Sequence, residues 1–388
     1  MKFINKYNKD KVLYFLLSLV LITLPFPSYS LNSKMIILLT VYWLFYNSLD
    51  KKIKILKQNK HSLFLFVALF LMLLFSILFS DNYSKGFLLL GKKIVFILLP
   101  LIIFTIKNKK NDVNFLLHYF SISVVISSFF ALIKVLYFKI NNIGDYLSYS
   151  SFALFLNKHT TYFALFTTIA ILYFINRLLT NKKNIFLQII VIVYLLLILY
   201  FLSVRISIIA LIISTFILLS KANKRYIVSS IFLLGILFFI SPSFQKRFHS
   251  IKGKSTFYDI HYRYKHWKIN VDEVMKKNIL FGYGLGSNRK EIYQSYKDQN
   301  LTSAYKEKYN AHNQFLEYYV HAGLIGFLIF LFINFMLIKK IIQKQSLLYP
   351  SIYSLFLIFM LTESILERHS GMVLFSILIP LFIAEKTE

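Results

Sequence analysis

The sequence predicts an all-α, polytopic membrane protein with about twelve transmembrane helices and one long periplasmic loop. Three observations predict it. The 388-residue chain is 57% hydrophobic, with a mean hydropathy of +0.62, well above an ordinary soluble domain. Apolar runs long enough to cross about 30 Å of hydrocarbon as a helix recur along it. The gaps between the runs alternate between lysine-rich and charge-poor, as loops on opposite sides of a membrane do. Lipid gives backbone groups no other partner, so the runs are expected to be helical.

The expected spans are 12–30, 34–49, 61–80, 86–106, 113–138, 159–179, 185–202, 204–220, 225–241, 318–338, 347–366 and 370–385. The opening MKFINKYNKDK followed by an apolar run imitates a secretory signal, with Ser28–Ser30 as a small-x-small site. A second apolar run follows at once, so the first span is expected to stay. The run 185–220 is too long for one crossing and is expected to break near Ser203-Val204-Arg205. Gaps 51–60, 107–112, 181–184, 221–225 and 339–345 are basic and placed inside. Gaps 81–85 and 139–158, and the turn at Arg205, are thin in charge and placed outside. Both termini then fall in the cytoplasm. The whole of 1–388 reads as a single integral membrane domain, with a large periplasmic loop, 242–317, between the ninth and tenth spans. That loop is basic, but long loops largely escape the charge rule. Within it, Trp267, Val271, Val274 and Met275 recur at helical spacing over 259–277, a helix suited to the membrane surface.

The net charge of +29 comes from 45 Lys and Arg against 16 Asp and Glu. Most of the lysines sit in short gaps between apolar runs, where topology accounts for them, so no nucleic-acid partner is expected. They suit anionic lipid headgroups. With no cysteine, disulfides and thiolate metal sites are excluded.

The residues able to carry chemistry pool on the outer side. Arg205, between two apolar runs, is either a snorkelling residue or a phosphate ligand. Lys92 and Lys93 pose the same alternative. Arg263 and Trp267, four apart, share a helix face, and an arginine fork suits phosphate oxygens. Gly282, Gly284 and Gly286 are a flexible turn or an anion cradle of backbone N–H groups; no βαβ unit surrounds them, so they are not a dinucleotide fingerprint. His312 and Asn313 stand at the mouth of a helix, where a histidine can take a proton and an asparagine can orient a sugar or the imidazole. His159 opens the sixth span, and Glu363 ends the eleventh; each is also readable as an ordinary helix terminus. No DxD and no outer-side cluster of Asp, Glu and His shows metal-ligand spacing, so neither a metal nor another cofactor is expected.

The order of these pieces resembles the O-antigen ligase/polymerase superfamily. The matching parts are HTTYFA (159–164), SVR (203–205), Arg263-x-x-x-Trp267, FGYGLGSN (281–288), HNQFLEYYVHAGLIGF (312–327) and TESILERHSG (362–371). SVR carries a valine where a Ser-Arg pair is commoner. The resemblance implies a fold similar to C-type membrane glycosyltransferases. It implies a bacterial inner-membrane enzyme that takes a glycan from undecaprenyl pyrophosphate at the periplasmic face, without metal and with inversion. The acceptor would be lipid A–core for a ligase or another repeat unit for a polymerase. His312 would be the base that activates the acceptor hydroxyl, and Arg205 and Arg263 would hold the pyrophosphate. A lipid-linked sugar transporter fits less well, because transporters place charges deep in several spans.

Overall fold

A computed structural model describes residues 2–106, 110–142, 152–153, 155–181, 183–221 and 255–385. The helices are α1 (Lys2–Thr23), α2 (Tyr29–Tyr46), α3 (Leu49–Ser76), α4 (Tyr83–Lys92), α5 (Val95–Phe104), α6 (Lys110–Ile140), α7 (Thr160–Thr180), α8 (Ile185–Leu202) and α9 (Arg205–Leu219). Then come α10 (Ser255–Asn278), α11 (Lys290–Asp298), α12 (Thr302–Lys306), α13 (Gln314–Ile342), α14 (Leu348–Met360) and α15 (His369–Ala384). No strand forms among the described residues.

Six of the described helical stretches are long and apolar enough to cross a membrane: Leu49–Phe79, Tyr83–Phe104, Lys110–Ile140, Thr160–Thr180, Ile185–Leu202 and Gln314–Ile342. Three shorter apolar helices, α9, α14 and α15, stand where further spans were expected. Spans 12–30 and 34–49 coincide with parts of α1 and α2, which are helical but not among those six. The expected ninth span, 225–241, and the start of the loop, 242–254, lie outside the described residues.

Two boundaries differ from expectation, each for a local reason. The first span does not run to residue 30. Pro25 and Pro27 disfavour helix at the residues before them, and Ser28 restarts the chain by accepting the Leu31 N–H at 3.2 Å. The stretch 86–106 bends at Lys93, which ends α4 with φ −89° and ψ 2°. The break at 203–205 falls where expected, with Ser203 in the left-handed region at φ 50°.

α15 and α7 are the centre of the bundle. Every residue from Ser370 to Ala384 is buried, as are Tyr162 to Phe174. Helices that are apolar all round belong in such positions. α5 packs on α15 and α3; α6, α8, α9 and α14 pack on α7. Phe45, Phe186 and Phe335 point outward and are exposed, an apolar rim suited to lipid.

The loop helices have a small core of their own. Ile269, Val274, Tyr283, Ile292, Tyr296, Leu301 and Ala304 pack against Tyr319 and Val320 of α13. α10 therefore rests on α13 rather than presenting an apolar face to a membrane surface, and Met275, expected on that face, is exposed.

α13 itself is interrupted at Ala322 and Gly323, whose backbone leaves helical geometry. The loop after α10 fills the gap. Tyr283 and Gly284 donate their N–H groups to the carbonyls of Val320 and His321 at 2.8 and 3.0 Å. In return, Leu324 and Ile325 donate to the carbonyls of Ile279 and Leu280 at 2.8 and 3.3 Å. Gly323 sits at φ 60° and ψ −159°, a region open essentially to glycine alone. A Cβ there would also overlap the Leu280 carbonyl. Gly323→Ala is expected to cost at least about 2 kcal/mol, seen as a lower melting temperature of the detergent-solubilised chain. An unchanged melting temperature would show that the break tolerates a side chain.

Candidate functional site

The site is built where α13 begins. His312, Asn313 and Gln314 are consecutive, and each reaches the segment 361–367 that joins α14 to α15. His312 Nδ1 lies 3.2 Å from Glu363 Oε1. Asn313 donates through Nδ2 to the Leu361 carbonyl at 3.1 Å. Its Oδ1 caps α13 by accepting the N–H groups of Phe315 and Leu316, an arrangement whose loss typically costs about 1 kcal/mol. Gln314 accepts the Leu366 N–H at 2.6 Å and approaches Glu367 with its amide nitrogen. From α7, Tyr162 donates its hydroxyl to the Ser364 carbonyl at 3.1 Å.

His312 has φ 44°, a left-handed backbone that a non-glycine residue adopts at a cost of about 1 kcal/mol or more. Its ring is 30% exposed, while Glu363 is buried. Burial alone would raise the Glu363 carboxyl. The bond to His312 and the nearby His159 and Arg368 outweigh that and hold it below the usual carboxylate range. A carboxylate on Nδ1 fixes the tautomer and leaves Nε2 as the proton acceptor.

The loop covers this pair. Arg263 is exposed and donates from Nη1 to the Thr362 carbonyl at 3.2 Å. Trp267, one turn on, donates from Nε1 to the Ala311 carbonyl at 3.1 Å. The face they share, expected from their spacing, thus lies across the residues flanking His312 and Glu363. His266 is buried beside them, stacked on Tyr296 with ring centroids 4.8 Å apart and 5.9 Å from the His312 ring.

The other expected residues are placed as follows. His159 precedes α7 and sits close enough to Glu363 to influence it; burial pushes its imidazole down, and its Nδ1 has no hydrogen-bond partner among the described residues. Lys93 is buried and committed, donating to Glu367 Oε1 at 2.8 Å and to the Leu366 carbonyl at 3.2 Å. Gly284 is a packing position. Its N–H serves His321, and a Cβ would overlap the backbone of Ser80. Arg205 opens α9 and is half-buried.

The assembly that residue spacing did not reveal is a sealed charge network one turn below His312. Arg289 Nη2 bonds to Glu317 Oε1 at 2.6 Å and lies 3.2 Å from the His321 ring. His321 Nε2 is 3.2 Å from Glu317 Oε1 and 3.7 Å from Glu367 Oε2. Lys93 closes the chain on Glu367. Glu317, His321 and Glu367 present ligand atoms within 4.8 Å of one another, which corrects the expectation of no such cluster on the outer side. Arg289 and Lys93 already neutralise its two carboxylates, however. A divalent cation there would face two fixed positive charges, so the set does not suit a metal. The readable signal was Glu317 and His321 at i and i+4 at the head of an apolar helix, where ionisable residues are seldom idle.

Fold and site define a polytopic α-helical membrane protein with a histidine–carboxylate pair at one end of its bundle, under a partly basic helical cover. Residues 190–331 match the family model described as O-Antigen ligase. The match supports the O-antigen ligase/polymerase superfamily that the motif order resembles. It takes in Arg205, Arg263, Arg289 and His312, and leaves Lys93, His159, Glu363 and Glu367 outside. A search of curated proteins found no match.

His266 makes the loop sensitive to acid. Burial, reinforced by His312, depresses its pKa from 6.5 to about 4. Between those values the unfolded chain binds a proton that the native chain refuses, so stability is full above pH 6.5 and falls toward pH 4. The loss should reach roughly 2–3 kcal/mol across that window. His266→Phe, which keeps the stacking on Tyr296, should flatten the fall in melting temperature between pH 7 and 5. An equally steep fall in that variant would assign the acid sensitivity elsewhere.

Proposed function

We propose that the protein transfers a glycan from undecaprenyl pyrophosphate to an acceptor hydroxyl of lipid A–core at the periplasmic face of the inner membrane. The observation that carries this is the His312–Glu363 pair, half-open, with the exposed Arg263 guanidinium tied to the residue before Glu363. His312 Nε2 takes the proton of the acceptor hydroxyl. The hydroxyl oxygen attacks the anomeric carbon, the bond from that carbon to the phosphate oxygen breaks, and the diphosphate leaves with the electron pair. Glu363 stabilises the imidazolium that forms, in the manner of a triad carboxylate. Arg263, with Arg205 entering from α9, neutralises charge growing on the diphosphate. Trp267 and Asn313 hold the backbone around the base, and His159 lies behind Glu363.

One displacement inverts the anomeric centre. A retaining route would need a carboxylate against the sugar. Glu317 is sealed and paired with Arg289, and Glu363 is occupied by His312, which favours inversion. No cofactor is required by this chemistry.

The test is complementation of a strain lacking the gene, read as lipopolysaccharide on a gel. Loss should give core without O-chain, and the parent gene should restore the ladder. His312→Ala should lower transfer by roughly 10²–10⁴-fold, the usual worth of a general base. A full ladder from His312→Ala would remove it from the chemistry, and core bearing a single repeat in the deletion strain would make the protein a polymerase. Transfer in isolated membranes should persist in EDTA. Activity lost to chelator and restored by Mg²⁺ would overturn the metal-free reading.

A further inference from the structure

The sealed network is close to His312 in space yet has no route to a substrate, because Arg289, Glu317 and His321 are all buried. What it touches is the backbone that carries the base. Glu317 Oε2 accepts the N–H of Ala311 at 2.8 Å, while Oε1 takes Arg289 at 2.6 Å. Ala311 immediately precedes His312, whose φ of 44° turns the chain so that the ring meets Glu363. Trp267 holds the next peptide, the one joining Ala311 to His312, through the Ala311 carbonyl.

We propose that Arg289 and Glu317 are positioning residues for His312; this rests on reading His312 as the base. The carboxylate clamps the Ala311 N–H and thereby fixes the left-handed turn at His312. The guanidinium, held by the loop that follows the glycine turn, fixes the carboxylate. The Arg289 fork and the Ala311 amide are donors and the His321 ring lies 3.2 Å from Oε1, so an acceptor with two free oxygens is what these neighbours require. A glutamine at 317 would turn an N–H toward one donor, and the clamp would open. Arg289 also joins the loop to α13, so the base is in place only where loop and helix are docked.

The experiment uses the full chain in detergent and two readouts that need no glycan. One is hydrogen exchange of the Ala311 amide. The other is acylation of the His312 ring by diethyl pyrocarbonate, read by peptide mass spectrometry. In Glu317→Gln the Ala311 amide should exchange at least about tenfold faster, the loss expected for one buried bond. His312 should acylate several-fold faster, and transfer should fall by about 100-fold, as a misplaced catalytic group costs. A double variant, Arg289→Met with Glu317→Leu, separates positioning from mere stability. Removing both charges together should restore the melting temperature relative to either single change, but Ala311 still lacks its acceptor, so fast exchange and weak transfer should persist. Transfer that recovers along with the melting temperature would overturn the proposal. If the double variant does not fold, Glu317→Gln decides alone: unchanged Ala311 exchange and His312 acylation would overturn it. Altered His312 readouts with undiminished transfer would support the clamp and sink the reading of His312 as the base.

Discussion

A helix that enters a membrane must satisfy every backbone group it breaks free, and α13 meets that demand at Gly323 by borrowing a loop. Four backbone hydrogen bonds pass between residues 279–284 and 320–325, two in each direction. Left unpaired in an apolar setting, each such group would cost several kcal/mol. The clasp therefore joins the loop to the bundle through backbone as well as through the side chains of its small core. It also sets the register. With Gly284 fixed on His321, the chain places Arg289 within reach of Glu317, and Ile292 and Tyr296 of α11 and Ala304 of α12 share one small core with Tyr319 and Val320 of α13.

The charges beneath the site follow the same logic. Of two carboxylates, Glu317 is buried and Glu367 half-buried, and each meets one cation, Arg289 or Lys93. Desolvation of such pairs is expensive and can exceed their attraction, so their worth to stability is small. Their worth to geometry is larger. Glu317 fixes the approach to His312 from below, and Glu367, through Lys93 and Gln314, fixes the 361–367 segment that carries Glu363. The two halves of the pair are thus held from two sides of the bundle by ion pairs that share His321 as a neighbour. Lys93 can take part because α4 turns at that residue instead of running straight into α5.

Much of the frame was legible in the sequence, and for one reason: a helix in lipid announces itself by the length and apolarity of a continuous run. The break at Ser203, the helix over 255–278 with Arg263 and Trp267 on one face, and the start of α13 at the His-Asn step all follow from local pattern. What was not legible is pairing between segments distant in sequence. His312, Asn313 and Gln314 reach 361–367 across some fifty residues, a register that no spacing rule within one helix encodes. Arg289 was passed over because it follows a glycine turn and resembles any loop cation; only the docking of that turn on α13 gives it meaning. Lys93 and Gly284 stood out by residue type, yet the fold employs one in a buried ion pair and the other against the backbone of Ser80. Residue type marks what a side chain is able to do, and packing decides what remains free to do it.

That distinction sorts this end of the bundle into two layers. Groups already paired inside the fold, such as Glu317, Glu367 and the Gly284 amide, set distances. His312 and Arg263 keep unspent capacity and exposure, and each is tethered by one bond to the 362–363 step. A base needs both properties together: fixed enough that its free nitrogen meets the hydroxyl, open enough that the hydroxyl arrives. A histidine in a left-handed turn, stapled through its own Nδ1 and through the peptide before it, has one side of its ring immobilised and the other turned outward. Full burial disfavours the charged imidazolium, the effect that pushes the neighbouring His266 down.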